Sequence, residues 1–274
     1  MSAPKSDAAA SHYDAITAGW QLIFGAHFHF GLFEAAAGLS LEGATERLVL
    51  ALAAGARLAP EQRVLDVGCG VGAPAQLLAA TYGCRVHGLS TSAVGIEAAV
   101  ARATSDKTTF GVADGAATGL PEASFDRAWI MESSHLFPDK PTLLCEMHRV
   151  LRPGGRLALC DLVTLRLLPE TRSIANAKKF LAVDAAFGPC RTETVGFYAE
   201  VLEAAGFRNV EHVDVSALTR PTMAAWLERI EERQAELAAV MAPRQIAVFR
   251  RAAAVLEELF AQGVLGYAMV WADR

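Results

Sequence analysis

Nine consecutive residues carry much of the chemistry legible in this chain: Val64-Leu65-Asp66-Val67-Gly68-Cys69-Gly70-Val71-Gly72. An apolar strand ending in a carboxylate runs into a glycine turn, and the turn opens a helix that begins Ala73-Pro74-Ala75-Gln76. Glycine permits positive φ and, lacking Cβ, lets a ligand approach the backbone closely. The helix start adds N–H groups without acceptors and a positive dipole end. The run therefore predicts a nucleotide-cofactor site. Two more residues are of types that move protons. His135 comes shortly after the apolar run 125–131, and Asp161 ends the run Leu157-Ala158-Leu159-Cys160. A carboxylate beside an imidazole fixes its tautomer and stabilises the imidazolium, so the pair is a candidate general base and orienting partner, with packing or hydrogen bonding as the competing role for His135.

The elements that must position these groups alternate. Strands are predicted at 63–67, 84–89, 107–112, 125–131, 156–163 and 208–215, with a last strand over 266–272 and helical stretches between most of them. Such βαβα order argues for an α/β fold with a Rossmann-like, doubly wound parallel sheet, whose ligands bind at the carboxyl ends of the strands. Residues 8–60 read as mainly helical, broken around His27-Phe28-His29-Phe30-Gly31, with one helix over 41–57. Arg152-Pro153-Gly154-Gly155 reads as a turn that ends a helix over 140–151 and launches the strand at Arg156.

The chain therefore divides into an N-terminal segment (1–60), an α/β core (61–165) and a remainder (166–274) with helical cap segments at 166–195 and 221–262. Phe180, Leu181, Phe187, Phe197, Trp226, Met241 and Phe249 are candidates to wall an apolar acceptor pocket, with ordinary helix packing as the competing role for each. Arg166, Arg172, Lys178, Lys179 and Arg191 read as a solvated basic face or, alternatively, as a hold on a substrate anion.

Composition narrows the class. The 274 residues are 53% hydrophobic with a net charge of −5 and no basic tract, which argues against nucleic acid as a partner. No run of about eighteen apolar residues predicts a membrane span, and Met1–Asp7 reads as a tail without a signal-peptide core. The five cysteines (Cys69, Cys84, Cys145, Cys160, Cys190) show no CxxC spacing, so neither a metal site nor a disulfide framework is expected, and a reduced cytoplasmic setting is. The expected partner is a small-molecule substrate, with the chain a monomer or homo-oligomer.

Gly68-Cys69-Gly70-Val71-Gly72-Ala73 also satisfies the dinucleotide pattern GxGxxG/A, which makes an NAD(P)-dependent oxidoreductase the competing class. That reading needs an acid about 20 residues on, at the end of the second strand. The chain has Val86-His87-Gly88-Leu89-Ser90-Thr91-Ser92 there, without a carboxylate. Three further blocks follow in order: Ala113-Asp114-Gly115-Ala116, Leu120-Pro121-Glu122-Ala123-Ser124-Phe125-Asp126 and Val150-Leu151-Arg152-Pro153-Gly154-Gly155-Arg156. With the glycine loop they resemble class I S-adenosylmethionine-dependent methyltransferases over roughly residues 60–165. Within that family the likeness is to natural-product sugar O-methyltransferases of the rebeccamycin and erythromycin type, which share the His29-Phe30-Gly31 and Glu132-Ser133-Ser134-His135 elements.

The resemblance implies S-adenosylmethionine as cofactor. Gly68, Cys69 and Gly70 would line its methionine part, with Asp66 at its amino group. Asp114 would accept from the adenine amine beside Gly115, and Ser90 and Thr91 stand where many members place a ribose-binding acid. Segment 1–60 would serve as a lid, with Tyr13 reaching the cofactor carboxylate and His29 lining the cofactor; Glu132 is expected to line it as well. His135 would be the base and Asp161 its partner, both matching family positions. O-methylation of a small, largely apolar natural-product-type acceptor leads; C-methylation of a prenyl or aromatic carbon and N-methylation of an amine are alternatives. A silent methyltransferase-like scaffold, or one that serves a cyclisation, also stays open.

Overall fold

Alternate residues of the central strands enter two different cores, and this explains why they read as nearly continuous apolar runs. Val64, Trp129, Met131, Ala158, Cys160 and Leu162 belong to one core, while Leu65, Val67, Ala128, Ile130, Leu157, Leu159 and Val163 belong to the other. A computed structural model describes residues 17, 19–34, 38–166 and 174–274. Tyr13, the tail Met1–Asp7 and Arg172 lie outside the described residues.

After a helical stretch at 19–24, the elements in chain order are α1 (Leu41–Ala56), β1 (Arg63–Val67), α2 (Ala73–Tyr82), β2 (Arg85–Ser90), α3 (Ala93–Arg102), β3 (Thr108–Val112), β4 (Phe125–Met131), α4 (Lys140–Val150) and β5 (Leu151–Thr164). They continue with α5 (Ile174–Phe187), α6 (Val195–Ala204), β6 (Arg208–Asp214), the single turn α7 (Ser216–Thr219), α8 (Pro221–Glu232), α9 (Gln234–Val240), α10 (Pro243–Ala261) and β7 (Leu265–Asp273). The seven strands form one sheet in the order β3-β2-β1-β4-β5-β7-β6. The order reverses at β1, which pairs in parallel with β2 on one side and β4 on the other. A crevice opens at the carboxyl ends of strands at such a point.

Two expectations need correction. The sheet is mixed, because β7 runs antiparallel to both neighbours, β5 and β6. Leu265, the first residue of β7, pairs with Thr164 at the carboxyl end of β5. The helices inserted after β6 thus return the chain to the edge it left, and the next strand has to run back. Helix–strand alternation is blind to that choice. The turn at 152–155 is also no boundary. Leu151 pairs with Phe125 and Arg156 with Arg127, so residues 152–155 bulge from within a continuous β5. The bulge is held by the chain end, with Gly154 N–H donating to Arg274 O at 3.0 Å and Arg274 N–H to Gly155 O at 2.8 Å.

On the first face lie α1, α2, α8 and α10, through Leu48, Leu52, Leu78, Trp226, Phe249 and Leu256. The second face is covered by α4 and α6, through Leu143, Met147, Tyr198 and Leu202. Strand parity places Asp66 with Val64 on the first face and Asp161 with Leu159 on the second. No described helix is long and apolar enough to cross a membrane.

Candidate active site

The glycine loop is shaped by what it must pack against. Gly68 has φ 80°, and a Cβ there would lie 2.2 Å from the Ser133 side chain. Ser133 sits so close because its hydroxyl donates to Val67 O at 2.7 Å. The N–H groups of Gly68 and Cys69 both donate to Leu89 O, at 2.8 and 3.0 Å. They bind the loop to β2 and are therefore spent; what Gly68 and Cys69 can offer a ligand is carbonyl oxygen. A cavity of about 360 Å³ opens above the loop, lined by Gly68, Gly70, Ser90, Thr91, Asp114, Gly115, Glu132, Thr17, Phe28 and Phe137, among others. One Asp114 oxygen accepts from Ala116 N–H at 2.9 Å, which steadies its turn, and Gly115 packs where a Cβ would meet Val67 at 2.2 Å. Ser90 Oγ accepts from Ser92 N–H, and Ser92 Oγ caps α3 by accepting from Gly95 N–H at 2.9 Å.

Asp66 lies beside this cavity in a smaller one, of about 40 Å³, shared with Phe28, His29, Cys69 and Met131. It is buried, its Oδ2 has no hydrogen-bond partner among the described residues, and burial pushes its pKa up to about 7. An orphaned buried carboxylate is costly unless a cationic donor meets it. His29 cannot supply one. Its Nδ1–H donates to Phe30 O at 2.7 Å, and its Nε2 faces His27 Nδ1 at 3.3 Å. Burial, with His27 beside it, lowers the His29 pKa to about 3; burial, with Arg102 nearby, lowers that of His27 to about 4. Both rings are neutral. An unpartnered carboxylate oxygen at Asp66 and an open backbone at Gly70 fit a ligand that joins an amino-acid ammonium to a nucleoside.

His135 occupies a 3-10 turn (Ser134–Leu136) immediately beyond β4. Its Nδ1 lies 2.7 Å from Asp161 Oδ1, and its backbone N–H donates to Asp161 Oδ2 at 2.9 Å. Asp161 also accepts from Ser134 Oγ at 2.5 Å and from Leu162 N–H at 2.8 Å. Burial alone would raise the Asp161 pKa; the His135 ring and these donors instead hold it below the usual carboxylate range. Tyr198 of α6 completes the chain, its hydroxyl 2.7 Å from Ser134 Oγ. From the other side, Arg191 N–H donates to His135 O at 2.9 Å, and the buried Lys140 Nζ donates to Arg191 O at 2.7 Å.

The His135 ring lines a second cavity, about 40 Å³, with Trp20, Phe24, Phe28, Phe30, Leu162, Val183, Phe187, Trp226 and Leu256. With Nδ1 engaged, Nε2 is the ring nitrogen without a partner among the described residues. Glu132, His29 and Cys190 are the other polar side chains on this wall, and burial pushes the Cys190 thiol up, so it stays protonated. Of the expected wall residues, Phe187 and Trp226 line the cavity, and Phe249 packs behind both. Leu181 does not. It is 66% exposed, because Val183 and Phe187 claim the inner face of α5. Phe197 belongs to α6 and packs on Tyr198, on the opposite side of the sheet. Among the basic residues, Lys179 pairs with Glu258, while Arg166, Lys178 and Arg191 are exposed.

Glu132 lines both the cavity above the glycine loop and the cavity at His135, and has the left-handed φ of 47°, which costs a long side chain about 1–3 kcal/mol. Its Oε1 accepts from Phe30 N–H at 2.7 Å and from the Tyr267 hydroxyl at 2.6 Å. Burial, opposed by those two bonds, pushes its pKa up to about 8. Sequence reasoning missed Tyr267, Ser134, Tyr198 and Phe28. The Ser within Glu132-Ser133-Ser134-His135 was a usable signal; the tyrosines sit on elements remote in the chain and had none.

A methyltransferase-domain family matches residues 65–159 of the chain. The chain is 34% identical to 27-O-demethylrifamycin SV methyltransferase of Amycolatopsis mediterranei, over 84% of this chain and 85% of that one. In structure it resembles the [4+2]-cyclase SpnF, with a TM-score of 0.84 and 27% identity over 100% of this chain and 98% of the other. The mycolic acid cyclopropane synthase CmaA1, crystallised with S-adenosylhomocysteine, shares the fold at a TM-score of 0.88 and 18% identity, with 99% of each chain covered.

Proposed function

Because this chain belongs to the class I S-adenosylmethionine-dependent methyltransferases, we propose that it methylates a hydroxyl oxygen of a small, largely apolar acceptor with His135 as general base. S-adenosylmethionine is the cofactor, and when bound it supplies an electrophilic methyl on a sulfonium leaving group. Asp66 would hold its amino group, the Gly68–Gly70 backbone its methionine part, Ser90 and Thr91 the ribose, and Asp114 beside Gly115 the adenine. His29 and Glu132 would close the methionine end.

One observation carries the choice of oxygen: the 2.7 Å contact between His135 Nδ1 and a fully buried, ionised Asp161, with the ring on the wall of an apolar cavity. Asp161 holds the proton on Nδ1, which leaves Nε2 as a lone-pair acceptor for a hydroxyl proton. The imidazolium formed is then stabilised by the same carboxylate. Trp20, Phe24, Phe187 and Trp226 exclude water and favour an apolar body. Alignment of the two reactants contributes about 7–11 kcal/mol, and a placed base adds about 10²–10⁴-fold.

The test is His135→Ala. Turnover should fall by about 10²–10⁴-fold, while S-adenosylhomocysteine affinity by calorimetry stays within about twofold. Unchanged turnover would overturn the assignment. Labelled methyl offered to hydroxylated, aminated and prenyl acceptors should appear on oxygen; transfer to carbon or nitrogen would select the alternatives.

A further inference from the structure

Among the described residues, only Phe28 and Glu132 line both the 360 Å³ cavity above the glycine loop and the apolar cavity at His135. If the first holds the cofactor and the second the acceptor, the transferred methyl crosses between them at these two side chains. An aromatic face and a carboxyl are the two groups that favour a cation there. Neither cavity is lined by an arginine or lysine among the described residues.

The groups around Glu132 come from several elements. Tyr267 of β7 and Phe30 N–H donate to Oε1. Cys160 and Asp161 of β5 lie close, and His29, His135 and Cys190 share its cavity wall. None brings a permanent positive charge: His29 is neutral, the thiols are protonated, and Asp161 is already satisfied by His135. Two donors fill Oε1, so a proton on this carboxyl resides on Oε2, which has no partner among the described residues. Burial pushes the Glu132 carboxyl up to about 8, which favours its protonated form near pH 7, and a cation beside it would draw it to the ionised one.

We propose that Glu132 is the counter-charge for the sulfonium, protonated in the free protein and ionised when S-adenosylmethionine is bound, so that the site distinguishes cofactor from product by charge. This rests on the cofactor placement given above. S-adenosylhomocysteine carries the same amino group and carboxylate but an uncharged sulfur. It meets Asp66 alike and leaves Glu132 protonated.

Isothermal titration calorimetry of the full chain at pH 6.5, in two buffers of different ionisation enthalpy, counts the protons released. S-adenosylmethionine should release about one more proton than S-adenosylhomocysteine. The preference for S-adenosylmethionine should also weaken about tenfold per pH unit below the Glu132 titration. In Glu132→Gln the extra proton and that slope should both disappear. Tyr267→Phe removes a donor that favours the ionised form, so the same weakening should begin at higher pH. Infrared difference spectra of the wild-type chain give an independent reading: beyond the Asp66 change common to both ligands, one further protonated carboxyl band should be lost with S-adenosylmethionine and kept with S-adenosylhomocysteine. Equal proton counts for the two ligands, or an extra proton that persists in Glu132→Gln, would overturn the charge assignment alone. Failure of both ligands to bind would overturn the cofactor placement with it.

Discussion

Asp66 and Asp161 are the same residue type, on neighbouring regions of one sheet edge, and both are almost wholly buried. Their ionisation is opposite. Asp66 keeps an oxygen with no partner among the described residues and is pushed up to about 7 by burial, whereas Asp161 accepts from Ser134, from His135 twice and from Leu162 and is held below the usual carboxylate range. Burial acts on both in the same direction, so donors decide the difference. One region is incomplete until a cationic ligand arrives; the other is finished within the chain. That contrast suits a binding carboxylate and an orienting carboxylate.

The largest expected effect comes from Asp161→Asn. An amide nitrogen would face donors where the carboxylate accepted, and the imidazole would lose its fixed tautomer. Turnover should fall about 10³–10⁴-fold, with a loss of about 3–5 kcal/mol in urea unfolding. A variant as stable and active as the parent would erase the contrast. Asp66→Asn should do something different. Losing a charge-assisted bond of about 1.5–3 kcal/mol weakens S-adenosylhomocysteine about 10–100-fold in calorimetry.

The free Asp66→Asn protein should meanwhile be the more stable one at pH 8. The folded Asp66 pKa lies above the unfolded value, so this group costs stability as pH rises toward about 7, and the amide does not. Asp161 has the reverse sign: its contribution is present above the unfolded pKa and is lost as pH falls through the folded one. Relative to the parent, the unfolding midpoint of Asp66→Asn should therefore rise across about pH 4–7, while the deficit of Asp161→Asn should stay level there and shrink only as pH falls below about 4. The smallest effect is expected for Tyr198→Phe, which removes a bond to Ser134 and none to Asp161. Turnover should drop about two- to tenfold, the equivalent of roughly 0.5–1.5 kcal/mol.

Much of the proposed cofactor region is legible in the sequence, because its residues are contiguous. A strand, a glycine turn and a helix start must occupy adjacent positions in the chain to make a crevice, so Asp66, Gly68 and Gly70 announce themselves together. Ser90, Thr91, Asp114 and Gly115 follow at successive strand ends, and all line the same cavity. The proposed acceptor side was legible only where a strand end exposed it, at His135 and Asp161. Its walls come from segment 19–30, α5, α8 and α10, and helical periodicity in a chain this apolar does not say which face turns inward. Leu181 and Phe197 show the cost of that ambiguity. The direction of β7 was hidden for a related reason: alternation of elements records their order, not the edge at which each begins.

The amino-acid sequence by itself determined the class of sheet, the glycine loop and the candidacy of His135 and Asp161, since each depends on local spacing or on where a strand stops. Tertiary structure decided which buried carboxyls are charged. Glu132 meets Tyr267 across 135 positions and Asp161 meets Tyr198 through Ser134, and the ionisation of a buried acid is set by the donors and charges folding brings within a few ångströms, whatever their distance along the chain.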